Sequence, residues 1–74
     1  MRSKIIGKNI KNYRIEKGYT QKQFAALINK SYATVRMYEC GGVAPSPYSM
    51  MVIAQVLEIS VCDILKGEWI VYES

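Results

Sequence analysis

The sequence predicts an all-α domain of five short helices, and three observations carry that prediction. Apolar residues recur at three- and four-residue spacing from Ile6 to Ile64. Thr20, Ser31, Ser46 and Ser60 each stand just ahead of such a run, where a hydroxyl accepts from the unpaired amides of a helix's first turn. Gly18, Asn29, Gly41-Gly42 and Gly67 supply left-handed stops. The final stretch, EWIVYES, is β-prone but too short to form a sheet alone.

Ile6, Ile10 and Tyr13 mark one face of a first helix running from Ser3 to about Lys17, which Gly18 ends. Thr20 opens the second helix with a capping box, Thr20-x-x-Gln23, in which each side chain takes the other residue's amide. Tyr19 and Phe24 flank the box as a hydrophobic staple that fixes the entry angle. Phe24, Ala25, Leu27 and Ile28 are expected to face inward. Ser31 caps a third helix, buried at Val35 and Tyr38.

After the loop GGVAP, Ser46 as cap and Pro47 at the first helical position begin a fourth helix that runs through Leu57. Met50, Ile53, Ala54 and Leu57 are its expected buried side. Ser60 and Asp63 cap a short fifth helix, with Ile59 and Ile64 as a second staple. There is no internal repeat and no linker, so all five must pack together. Residues 1–67 are expected to form the domain and 68–74 an apolar tail.

Seventy-four residues, half of them apolar, suit one globular domain whose core is only just large enough to fold without staples. No apolar run is longer than Met50 to Ala54, which falls far short of the roughly 20 residues of a membrane span. The start, MRSKIIGKNIKN, lacks the apolar core of a secretory signal. A cytoplasmic protein at the nucleoid, with no membrane partner, is expected. Cys40 and Cys62, without any histidine, cannot complete a four-ligand zinc site and are expected to be reduced thiols. No nucleophile–base pair or phosphate-cradling glycine loop is present, so neither an enzyme nor a cofactor is expected.

Charge is more telling than composition. Nine of the ten Lys and Arg lie between Arg2 and Arg36, where Glu16 is the only acid. The rest of the chain holds Lys66 against five acids. Such asymmetry predicts a positive face for a polyanion and a separate acidic-to-apolar end. Residues 20–39, TQKQFAALINKSYATVRMYE, add geometry to charge. A capped helix of about eight residues, a short turn and a second capped helix make a helix-turn-helix. In that motif the second helix enters the DNA major groove while the first crosses the backbone. Ala25 is small enough to let the two helices cross closely.

From Ile6 to Leu65 the chain resembles the Cro/CI-type (phage repressor-like, XRE family) helix-turn-helix domain of phage repressors and related bacterial regulators. The segments that carry the resemblance are IGKNIKNYR, EKGYTQKQFA, SYATVRMYECG, the Pro45-Ser46 pair and LEISVCDIL, in family order and at family spacing. The resemblance implies a five-helix lambda-repressor-like bundle with its helix-turn-helix in helices two and three. It implies that Gln21 touches a phosphate and braces the first residue of the recognition helix. Tyr32, Ala33, Arg36 and Met37 would face the bases, and Thr34 the backbone. Arg14 and Glu39 match a family ion pair that ties helix one to the end of helix three.

Two departures from the family pattern shape the expected contacts. Lys30 replaces the usual apolar turn residue, and the loop after helix three, Gly42-Val43-Ala44, is neutral where relatives are often basic. Phosphate contacts are therefore assigned to Lys4, Lys8, Lys11, Lys22, Lys30 and the helix N-terminus at Ser31. Of the four base-facing residues, only Arg36 can bind guanine bidentately, while Ala33, Met37 and the Tyr32 ring suit thymine methyls.

The expected function is a transcription regulator binding double-stranded DNA as a homodimer on an inverted repeat. One such domain makes too few base contacts for tight specific binding. Dimer contacts are expected from helix five, from Val52 and Val56 on an exposed face of helix four, and from Trp69, Ile70, Val71 and Tyr72. The alternative for that tail is folding back over its own core. Two other functions remain open at this level. An antitoxin would copurify with a toxin or regulatory protein, and a pure interaction module would lack salt-dependent DNA affinity.

Overall fold

A computed structural model describes residues 3–67 as α1 (Ser3–Glu16), α2 (Gln21–Leu27), α3 (Tyr32–Cys40), α4 (Pro47–Leu57) and α5 (Val61–Leu65). There is no strand among the described residues, and no helix there is long and apolar enough to cross a membrane. The first helix ends at Glu16, one residue before the expected Lys17. Gly18 follows in the left-handed conformation at φ 84°.

The caps form as the residue types dictate. Thr20 Oγ1 accepts from the Gln23 amide at 3.0 Å, and Gln23 Oε1 accepts from the Thr20 amide at 2.8 Å. Ser60 and Asp63 make the same reciprocal pair on α5. Ser31 and Ser46 cap α3 and α4. Two stops have no glycine, and Asn29 follows α2 at φ 59° as expected. Glu58 ends α4 at φ 58°, a left-handed conformation that non-glycine residues rarely adopt.

Ile6, Ile10, Phe24, Ala25, Ile28, Val35, Tyr38, Ile53, Ala54, Leu57 and Ile64 form one buried cluster fed by all five helices. Fully burying a side chain such as Phe24 contributes about 1.5–3 kcal/mol. Two expected core positions differ. Leu27 is 50% exposed, because the buried side of the short α2 is centred between Phe24, Ala25 and Ile28 and Leu27 falls off its edge. Met50 is only partly buried, while the small Ser49 is buried beside the cap hydroxyl of Ser46, which donates to it.

α1 is the central element, packing on α3, α4 and α5. Gly7 sets its approach to α3, since a Cβ there would lie 2.0 Å from the Tyr38 carbonyl oxygen. Asn9 closes the other side. Its Nδ2 donates to the carbonyl oxygens of Ile64 and Lys66, each at 2.8 Å, and so satisfies free carbonyls at the end of α5.

Val52 and Val56 are half-buried against the core rather than on an exposed face. At about 100° per residue they flank the arc of Ile53, Ala54 and Leu57, whereas Tyr48, Met51 and Gln55 take the outer side of α4. Trp69, Ile70, Val71 and Tyr72 lie outside the described residues.

Candidate nucleic-acid interface

The third helix presents two opposite faces. Val35 and Tyr38 point into the core, and the helical step places Tyr32, Ala33, Arg36 and Met37 together on the outer arc, where all four are exposed. Ser31 starts the helix by accepting from the Thr34 amide at 3.1 Å. The two hydroxyls lie 2.9 Å apart, so Thr34 is held at the cap.

Three side chains fix the helix against its neighbours. Arg14 is 7% exposed, and its Nε and Nη2 donate to the two carboxylate oxygens of Glu39 at 2.6 and 3.1 Å. Its Nη1 donates to the Tyr19 carbonyl at 2.7 Å, tying α1 to the turn before α2. Gln21 Nε2 donates to Glu39 Oε1 at 3.0 Å, so α2 joins the same carboxylate. The Gln21 amide nitrogen thus braces the C-terminal half of the recognition helix through Glu39.

Lys22 lies beside Tyr32. Its Nζ lies 5.5 Å from the centroid of the Tyr32 ring, and the Arg36 guanidinium carbon lies 5.7 Å from the same centroid. Lys4, Lys8 and Lys11 repeat at four and three residues along α1 and are exposed, which makes one stripe. The stripe runs beside α3. Lys4 sits against Gly41 at the helix end, and Lys11 joins Gln21, Ala33, Arg36, Met37, Glu39 and Cys40 around an open cleft of about 420 Å³. Lys30 is exposed in the turn, directly before the Ser31 cap.

The face is therefore cationic at its margins and mixed at its centre. Cys40 and Cys62 are exposed free thiols. Among the described residues no three His, Cys, Asp or Glu side chains gather as a metal site requires. Sequence reasoning missed Gly7, Asn9 and Glu58, and it missed that Lys22 and Arg36 share the Tyr32 ring.

A family model described as helix-turn-helix matches residues 10–64, well over half of the chain. Among solved structures, the chain is similar to the clp gene regulator ClgR from Corynebacterium glutamicum, with a TM-score of 0.83 and 23% identity over 88% of this chain and 69% of that one. It is also similar to the restriction-modification controller protein C.AhdI from Aeromonas hydrophila, with a TM-score of 0.79 and 22% identity over 84% and 94% of the two chains. Both likenesses show the fold. A comparison with curated protein sequences gave no match. With this arrangement of helices and this match, the chain belongs to the Cro/CI-type helix-turn-helix family of DNA-binding transcription regulators.

Proposed function

We propose that the chain regulates transcription in the cytoplasm by occupying an inverted-repeat operator as a homodimer. The observation that carries this reading is the outer arc of α3, where Arg36 stands among exposed side chains beside the Lys4–Lys8–Lys11 stripe. Arg36 is the guanine reader, because its fork matches the O6 and N7 acceptors in the major groove. Ala33, Met37 and Tyr32 complete the base-facing surface. Lys4, Lys8, Lys11, Lys22 and Lys30 neutralise phosphates, while Ser31, Thr34 and Gln21 lie where the backbone passes the helix starts.

Two copies are needed, because a single helix reads only about one half-site and such motifs pair sites one helical turn apart. Dimer contacts are assigned to α5, the Val52–Val56 flank of α4 and residues 68–74. Deleting 68–74 should lower self-association and leave the helical signal intact. Unfolding of the deletion variant would assign that segment to the monomer core instead.

The test of the reading face is Arg36→Ala, measured against every single-base variant of a site selected from random DNA. Discrimination at one base pair per half-site should fall by about 1–3 kcal/mol while the other positions keep theirs. A uniform loss with an unchanged preference profile would make Arg36 a phosphate contact.

A further inference from the structure

Tyr32 is the first residue of α3 and 42% exposed, and its ring is shared by two cations from different helices. Lys22 comes from the start of α2, and Arg36 stands one turn further along α3. Both lie within the roughly 6 Å at which an aromatic face attracts a cation. We propose that Tyr32 is a positioning residue that holds Arg36 ready for its base and Lys22 ready for its phosphate, an inference that rests on the DNA-binding reading above.

The physical reason is pre-organisation. An exposed arginine has many rotamers, and fixing it on a base loses that freedom at the moment of binding. A guanidinium already resting on a ring loses less, and its planar fork is suited to stacking.

Tyr32→Leu removes the aromatic face and keeps an apolar side chain after the Ser31 cap. It should lower discrimination at the base pair read by Arg36 by about two- to fivefold, the worth of an exposed cation–ring contact. The same substitution made in Arg36→Ala should cause no further loss at that base pair. Tyr32→Phe, which retains the ring, should restore the wild-type profile. In DNA-free protein the Arg36 side-chain protons should show a ring-current shift that disappears in Tyr32→Leu.

Three results would overturn the proposal, each in a different way. Loss of preference only at a separate base pair, with discrimination at the Arg36 base pair unchanged, would leave Tyr32 a base contact with no hold on Arg36. Arg36 protons without a ring-current shift in wild type would remove the stacking. A wild-type protein with ring shifts but no DNA preference would remove the operator reading, and the positioning role with it.

Discussion

Arg14 and Glu39 form a bidentate ion pair between α1 and α3, with side chains only 9% and 4% exposed. Glu39 also accepts from Gln21, so one carboxylate holds α1, α2 and α3 in register. A buried charge is tolerable only when paired and hydrogen-bonded, and here both groups are. Removing one partner leaves the other buried and uncompensated. Glu39→Ala should therefore destabilise the fold by about 3–5 kcal/mol, a large part of the total for a domain of this size. Urea unfolding checks it. A loss below about 1 kcal/mol would mean the pair behaves as a surface bridge.

Gly7 gives the second prediction. Alanine in mid-helix normally gains about 1 kcal/mol over glycine. Here its Cβ would meet the Tyr38 carbonyl oxygen at 2.0 Å, a backbone atom that cannot move aside cheaply. Gly7→Ala should destabilise by about 1–3 kcal/mol, because α1 must lift from α3. A raised melting temperature would contradict the close approach.

What the sequence displays and what it conceals divide along the same physical line. Caps and stops are local, so Thr20, Ser31, Ser46 and Ser60 could be read directly, as could Gly18 and Gly41. The outer arc of α3 follows from helical period once Val35 and Tyr38 are taken as buried. Gly7 was a missed signal, since a glycine inside an otherwise regular helix asks for a close neighbour. Asn9 and Glu58 act through partners 55 and 41 residues away, and no local pattern marks such pairings. Leu27 misled because α2 is too short for periodicity to fix its buried edge.

Asn9 supplies the third prediction. Its amide serves two carbonyls at the end of α5, so Asn9→Leu should cost about 1–2 kcal/mol and loosen α5 first. Hydrogen exchange should show faster opening of α5 amides with α3 little changed. Equal loosening of all helices would mean Asn9 has no special hold on α5.

The Lys17–Glu58 pair sets a pH dependence. The hydrogen bond from Lys17, aided by its charge, holds the Glu58 carboxyl below its ordinary range. The hydrogen bond to Glu58 raises Lys17 against a smaller opposing effect of desolvation. Stability from Glu58 is thus full above the ordinary carboxylate pKa and is lost as pH falls through the lowered folded value. Stability from Lys17 is full below the ordinary lysine pKa and is lost as pH rises through the raised folded value. Glu58→Gln should remove the acid dependence and weaken the alkaline one, giving a smaller loss of stability between about pH 7 and about pH 3 than wild type. An acid limb identical to wild type would show that the pair makes no net contribution.

In the proposed complex α3 enters DNA while lysines on α1, α2 and the turn neutralise phosphates. Salt dependence on a selected operator tests it most directly, read by fluorescence anisotropy between about 50 and 200 mM salt. If Lys4, Lys8, Lys11, Lys22 and Lys30 each neutralise one phosphate, log affinity should fall against log salt with a slope of about −4.5 per protomer. Charge reversal at Lys22 should weaken all DNA sequences alike. A flat salt response would mean that these lysines do not bind phosphate and that α3 does not dock on DNA in this way.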